Sequence, residues 1–343
     1  MIGNYLNSPR HNKNVWQALA GRLPAMGWTV MTTSTKESQV LRLLDMLFTI
    51  LRKKNQYNLA QIDVFSGNAF IFAESCARLL KILKKPIVLT LHGGGLPSFA
   101  RRHPKRVAGL LSLASVVVTP SPYLRQRLAA YDSHIRVIHN GIDISSIPYK
   151  SRTAISPTLI WIRAFHQTYN PELAVKVLFY LLKDYPDASL TMVGPDKGDG
   201  SMQAVGVLAV KMGVEKHLKI MRPVPYEEVP ALLGNADLFI NTTNYDTAPR
   251  SLLEAMANGA CVVSTDVGGI PWMVTSFRDG ILVPPEEAIA MTAAIKKLLS
   301  NPELAERVSK TARQTAEGYD WSNVMPEWDD LFTEVLERAC GKN

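Results

Sequence analysis

Two carboxylates stand eight positions apart in the stretch NTTNYDTAPRSLLEAMANGACVVSTDVGG, which runs from Asn241 to Gly269. Asp246 lies in a polar loop that leaves an apolar strand ending at Ile240, and Glu254 lies in a helical run. Pro249 suits the first turn of a helix, where its missing N–H costs nothing. Ser251 to Ala257 has helical composition, Gly259 supplies a stop, and Cys261 to Ser264 reads as a short buried strand. The free N–H groups at such a helix start attract an anion. A ligand whose phosphates lie there would bring its hydroxyls to Asp246 and Glu254 as acceptors. A second constellation is His92-Gly93-Gly94-Gly95, directly after the apolar run PIVLTL. A histidine at the carboxyl end of a parallel strand points into the crevice where α/β sheets bind ligands, and glycines let a substrate approach the backbone.

Those residues need strands to carry them, and the chain supplies alternating strands and helices twice over. In the first series, Val15–Met26 is expected to be helical and Trp28–Thr32 a strand. Ser38–Lys54 is amphipathic, with Val40, Leu43, Leu44, Leu47, Phe48 and Leu51 on one face. A core-packed helix with a solvated basic end is the expectation there, and a membrane-surface helix the alternative. Ile62–Phe65, Pro86–Leu91, Ala114–Pro120 and Ile135–Ile138 read as strands, with a helix over Phe70–Leu83. Residues 144–157 lack apolar periodicity and read as a linker. A second series begins with the strand Leu159–Ile162 and continues through Ser189–Val193, Leu218–Met221 and Asp237–Ile240. Two closing segments, around Tyr319-Asp320-Trp321 and from Trp328 to Arg338, read as a terminal helix pair, with Trp321 and Trp328 as packing anchors.

The stretch Glu254-Ala255-Met256-Ala257-Asn258-Gly259 resembles the donor-site signature of retaining glycosyltransferase family 4, the group-1 family with the GT-B fold. Asp246 stands where that pattern has its first Glu, one methylene longer. Gly268-Gly269-Ile270-Pro271, Gly280-Ile281-Leu282-Val283 and the turn Asn140-Gly141-Ile142-Asp143 extend the likeness. The resemblance implies an α/β protein of two doubly wound, Rossmann-like domains facing across a cleft. Residues 1–148 with about 322–343 would form an acceptor-binding domain, and 157–321 a nucleotide-sugar domain. It implies that Glu254 holds the nucleotide ribose, that Asp246 holds the donor sugar, and that Arg163 grips the diphosphate. Thr247, Ala248, Pro249, Arg250 and Gly194 complete the donor side, and the Arg222–Tyr226 backbone is a candidate for the base. On the acceptor side it implies Asn7, His92, Gly93, Gly94 and Arg101, with His92, Arg163 and Asp246 as the catalytic set. Two departures stand out. Position 168 holds Thr168 where the family has a lysine, leaving Arg250, Lys197 and His166 as replacements. The loop Asn7–Asn14 lacks the family's glycine pair.

A chain of 343 residues with 47% hydrophobic and 20% charged content has the composition of an ordinary globular protein. Its three cysteines, Cys76, Cys261 and Cys340, are too scattered for a disulfide framework or a metal site. No apolar run reaches the roughly 20 residues that span a bilayer, and the polar start has no signal-peptide character. A cytoplasmic protein is therefore expected. No metal or other cofactor is expected either, because no Asp-x-Asp motif or His/carboxylate cluster occurs. The charge is divided: residues 1–150 carry 20 basic and 6 acidic residues, while the rest carries 18 and 24. A net of +14 beside −6 points to two kinds of partner. The expected partners are a nucleoside-diphosphate sugar, a saccharide or lipid-linked acceptor, and an anionic membrane surface on the inner face of the cell. Nucleic acid is not expected, since no binding module accompanies the charge. The resemblance implies a retaining hexosyltransferase of cell-surface polysaccharide or lipopolysaccharide synthesis. A different enzyme on the same architecture (an epimerase or phosphorylase) is one alternative, and a degenerate nucleotide-sugar-binding partner subunit without activity is another.

Overall fold

The computed structural model describes residues 1–3, 5 and 15–341. The loop Asn7–Asn14, and Asn7 with it, lies outside the described residues. The chain divides into two compact units, Met1–Gly141 with Ser322–Asn343, and Ile142–Trp321.

In the first unit, helices α1 (Val15–Arg22) and α2 (Gln39–Arg52) precede strand β1 (Ala60–Val64). Helix α3 (Phe70–Ile82) leads to β2 (Ile87–Leu91), and α4 (Leu96–Arg102) and α5 (Pro104–Leu111) lead to β3 (Val116–Thr119). Helix α6 (Pro122–Leu128) and β4 (Arg136–Val137) complete the series. The four strands are parallel in the order β1-β2-β3-β4. β1, β2 and β3 are buried along their whole length; β2 and β3 accordingly read as near-continuous apolar runs, whereas β1 alternates and buries the polar Gln61 and Asp63. Trp28–Thr32, expected to be a strand, is not one. Only Thr33 makes a parallel bridge, to Ile2, which also bridges Ile62 on β1. Within the segment, the Met31 carbonyl accepts from the Met1 N-terminus at 2.6 Å.

Helix α2 departs from its expected orientation. Met46 and Ile50 are the buried positions, with Leu47 packed against the same core. Val40, Leu41, Leu44, Phe48 and Leu51 point outward and are 48–69% exposed. The apolar arc of this helix is wider than the surface it covers, so half of it faces solvent.

The second unit is a six-stranded parallel sheet. Its strands are β5 (Thr158–Ile162), β6 (Ser189–Val193), β7 (Leu218–Met221), β8 (Leu238–Asn241), β9 (Cys261–Thr265) and β10 (Ile281–Val283). Helices α7 (Pro171–Leu182), α8 (Ser201–Met212), α9 (Val229–Gly234), α10 (Arg250–Asn258), α11 (Ala288–Leu299) and α12 (Pro302–Glu317) connect and cover them. The order is β10-β9-β8-β5-β6-β7, so chain direction across the sheet reverses between β5 and β8. Loops leaving the carboxyl ends of those two neighbours diverge and leave a crevice, the place where open α/β sheets bind ligands.

Residues 144–157, expected to be a linker, are part of this unit. Arg152 is fully buried, and its guanidinium donates to the carbonyls of Lys150, Asn258, Leu233 and Ala236 and to Asn258 Oδ1. Asp237 lies 3.3 Å from its Nε. A charge taken out of water is tolerated only with such a full set of partners. Gly259, at φ +82°, ends α10, and any Cβ there would collide with Tyr149 and the Lys150 carbonyl. Both features press the segment onto the end of α10. A single terminal helix, α13 (Trp321–Cys340), replaces the expected pair and belongs, after its first residue, to the first unit. Trp328 is buried there against Phe332, which also meets Trp28.

Candidate functional site

The crevice between β5 and β8 collects the residues of the first constellation. Arg163 leaves the end of β5, and the loop after β8 brings Asp246 into ion contact with its guanidinium. Asp246 is held from its other oxygen: Oδ1 accepts the N–H groups of Thr247 at 2.7 Å and Ala248 at 3.3 Å. Its carbonyl accepts from Gly269 at 2.9 Å. Gly268, at φ +56°, passes so close that a Cβ would overlap that carbonyl. This explains the glycine at 268: the loop after β9 must lie against the Asp246 backbone. Gly194 serves the same end on the other side, where a Cβ would overlap the Arg163 carbonyl.

A lattice of hydrogen bonds fixes the two loops against each other. Thr242 Oγ1 donates to the Tyr169 carbonyl at 2.8 Å, Thr243 Oγ1 to the Thr168 carbonyl at 3.1 Å, and the Asn244 N–H to the same Thr168 carbonyl at 2.8 Å. Thr168 thus contributes its backbone to positioning the β8 loop. Tyr169 lies under Arg163, with the guanidinium 4.6 Å from the ring centre. Burial lowers the pKa of Arg163, while Tyr169 and Glu254 oppose the shift.

Helix α10 starts at Arg250 with Pro249 at its cap position and no side-chain cap. Glu254 is buried one turn in, and burial raises its pKa against the pull of Arg250, Tyr226 and Arg163. Arg250 Nε lies 2.8 Å from Glu254 Oε1. The two face each other one turn apart on the helix, as an ion pair at i and i+4 does. Arg250 also stacks on Tyr226 at 4.4 Å, and the Tyr226 hydroxyl is pushed up to about 12 by burial and then by Glu254. Two guanidiniums and two carboxylates therefore sit together at an uncapped helix start. A diphosphate entering here would meet Arg163 and Arg250 and free the carboxylates for hydroxyls.

Of the three residues offered in place of the lysine, Arg250 is the one in this cluster. His166 is engaged elsewhere, with Nδ1 accepting the Thr168 N–H at 3.1 Å and Nε2 3.7 Å from Asp199. Lys197 is exposed in the loop after β6. Among the described residues, no three His, Cys, Asp or Glu side chains converge on a metal position.

The second constellation lies in the first unit. His92 follows β2 and is buried, with Nε2 2.9 Å from Asp63 Oδ1 on β1. A carboxylate only accepts, so Nε2 is the donor in this contact. Gln61 Nε2 donates to the same Asp63 oxygen at 2.9 Å. Phe65 stacks on His92 at 5.2 Å, and Trp16 approaches at 5.6 Å. Gly93 adopts φ +83° immediately after. Arg101 is exposed on α4 and donates to Ser98 Oγ at 3.0 Å.

Sequence reasoning passed over Asp63, Phe65, Tyr169 and Arg152. Asp63 meets His92 only through the register of β1 against β2, and no spacing rule links positions 63 and 92.

Residues 151–315 match the family described as glycosyl transferases group 1, and residues 14–146 match glycosyltransferase family 4. Glycogen synthase of Mycobacterium tuberculosis (strain CDC 1551 / Oshkosh) is 26% identical over 282 residues, 76% of this chain and 66% of the relative. D-inositol 3-phosphate glycosyltransferase of Corynebacterium efficiens is 25% identical over 174 residues, 50% of this chain and 41% of the relative. The chain thus spans less than two thirds of the length of these curated relatives. Among solved structures, sucrose-phosphate synthase from Thermosynechococcus elongatus superposes with a TM-score of 0.79 at 18% identity, covering 94% of this chain and 93% of that one. HepE of Anabaena, solved with UDP-glucose, gives 0.72 at 18% identity, covering 89% and 85%. These superpositions show the GT-B fold. The loops around Arg163, Asp246 and Glu254 lie in the first matched region and those around His92 in the second, and the chain belongs to the group 1, family 4 glycosyltransferases.

Proposed function

We propose that this protein is a retaining glycosyltransferase that moves a hexose-type sugar from a nucleotide sugar to a saccharide or lipid-linked saccharide acceptor, in cell-surface polysaccharide or lipopolysaccharide synthesis. The observation that carries the reading is the grouping of Arg163, Arg250, Asp246 and Glu254 at the β5/β8 crevice, beside the start of α10. The glycogen synthase name and the UDP-glucose held by HepE support a nucleotide-sugar donor.

In this reaction the bond from the anomeric carbon to the leaving phosphate oxygen breaks. The acceptor oxygen bonds to the same face, and its proton passes to the departing phosphate. Negative charge grows on the diphosphate, where Arg163, Arg250 and the helix start oppose it. Glu254 accepts from the ribose and Asp246 from the sugar. His92, its ring fixed by Asp63 and Phe65, contacts the sugar or the acceptor.

A peripheral membrane position completes the reading. The outward stripe of α2 is apolar, and Arg52, Lys53 and Lys54 stand at its carboxyl end. An apolar face lying at the headgroup boundary beside basic residues is how an interfacial helix binds anionic lipid. No helix among the described residues is long and apolar enough to cross a membrane.

Incubation with a panel of labelled nucleotide sugars tests the proposal. One donor should yield transfer to a glycan acceptor, or slow hydrolysis without it, with the α-configuration of an α-donor retained. Tight binding of a nucleotide sugar with neither outcome would replace the enzyme by a binding subunit.

A further inference from the structure

Three rings meet at the carboxyl edge of the first unit's sheet, each delivered by a different element. Val64 and Leu91 are the last paired positions of β1 and β2, so the next residues, Phe65 and His92, come out side by side. Trp16, in the first turn of α1, closes the group. Phe65 lies nearly parallel to the imidazole at 5.2 Å, while Trp16 meets Phe65 edge-on at 5.5 Å and His92 at 5.6 Å. Packing alone does not account for this cluster. The core aromatic pair of the same unit, Phe70 with Phe99, is 1% and 5% exposed. Trp16 and Phe65 are only half-buried, and among the described residues neither joins the apolar core of this unit. Two large rings are thus left partly open at the edge where parallel sheets bind ligands.

The loop after β2 keeps the rings uncovered. Gly93, exposed and at φ +83°, would place a Cβ 3.7 Å from the Phe65 ring, so glycine leaves that edge clear. Gly95 lies against the loop after β1, where a Cβ would come within 2.5 Å of Ser66 Oγ. One charged group stands behind the cluster, Asp63, and its side chain is only 1% exposed. It holds His92 Nε2 at 2.9 Å, while Nδ1 has no hydrogen bond among the described residues. The surface therefore joins apolar ring faces to a polar rim made of an imidazole and glycine peptide groups.

We propose that Trp16 and Phe65 form a stacking platform for a pyranose ring of the acceptor, with His92 and the Gly93–Gly94 backbone at its rim. A pyranose has a face of C–H groups and an edge of hydroxyls. The face matches an aromatic surface and the edge matches a few fixed polar groups beside it. An apolar lipid chain would leave that rim without hydrogen bonds, a cost that a sugar avoids. As an acceptor subsite, the platform rests on the transfer reading above. It adds two residues that would select a sugar ring at this position.

Ligand-observed NMR on the full chain tests it, with the methyl glycosides of glucose, galactose and mannose at millimolar concentration and geraniol as an apolar-chain probe. Saturation of the protein should pass to the C–H protons of at least one glycoside. Trp16→Leu keeps an apolar side chain but loses the ring face, and should weaken that binding by roughly three- to tenfold, the worth of one aromatic contact. Trp16→Phe should restore most of it, which a merely structural role would not require. In the transfer assay, Trp16→Leu should raise KM for the glycan acceptor by a similar factor and leave KM for the nucleotide sugar unchanged. Glycoside binding that depends on Trp16 in a protein that transfers no sugar would reject the reaction and leave the sugar platform standing. Equal binding by the parent and Trp16→Leu, binding of none of the glycosides, or binding of geraniol in their place would overturn the proposal.

Discussion

Glu254 carries a charge that its surroundings oppose. Burial raises its pKa, and only the guanidiniums of Arg250 and Arg163 and the Tyr226 hydroxyl favour ionisation. Glu254→Gln removes the charge and half of the accepting capacity, so nucleoside diphosphate binding should weaken by roughly 1.5–3 kcal/mol, the worth of a charge-assisted hydrogen bond. Titration calorimetry with the nucleotide alone reads this, and unchanged affinity would take Glu254 out of the site. His92→Ala makes the contrasting case, because the residue belongs to the other unit. Transfer should fall by about 10² to 10⁴, the range for a positioned polar group at a reacting centre, with nucleotide affinity nearly intact. A kcat within a few-fold of the parent would leave His92 a packing residue between Phe65 and Asp63. At this scale the sequence was legible where local pattern carries chemistry: Asp246, Glu254 and the glycines after His92. Partners reached through strand register, such as Asp63, or through a loop crossing, such as Tyr169 under Arg163, leave no mark in spacing.

Among the elements, α2 is the one whose orientation periodicity left ambiguous. Its apolar positions cover more than half of the helix circumference, so the pattern alone cannot say which part packs. The observed exposure of Val40, Leu44, Phe48 and Leu51 gives a test of membrane docking. Vesicles containing anionic lipid should retain the protein in a salt-sensitive way, and Leu44→Ser with Phe48→Ser should reduce retention several-fold. Equal retention by neutral vesicles, or none by either, would remove the membrane from the account. Basic residues on α4 and α5 are less suitable probes, because Arg106 pairs with Glu74 and stacks on Phe70 and Phe99. The loop after β6 gives a prediction of another kind. Asp199 accepts from the Gln167 and Ser201 N–H groups, and the first of these chiefly holds its pKa at about 2, below the ordinary 3.8. A depressed carboxylate stabilises the fold above its unfolded pKa, and that contribution fades as pH falls towards 2. Thermal melts from pH 5 to 2 should therefore show a smaller acid loss for Asp199→Asn than for the parent. Identical profiles would mean that the loop contacts do not persist in solution.

For the whole molecule, two alternating series of strands and helices were enough to read two doubly wound units. Their border was not. Residues 144–157 look like a linker because they lack apolar periodicity, yet one buried guanidinium, Arg152, binds five acceptors and fastens them to the second unit. A single long-range residue outweighs local composition there. The charge division also follows the units, with the basic excess in the first, where α2 and the basic loops lie. The placement of the cysteines has a use in another kind of measurement. Cys76 lies within α3 of the first unit and Cys261 on β9 of the second, each buried with its thiol pushed up to about 12, while Cys340 is exposed. Only thiolate reacts with alkylating agents, so the folded chain should take one label at neutral pH. The other two thiols then act as separate clocks, one sealed in each unit. Mass-resolved labelling in rising urea should show whether the two interiors open together or in turn.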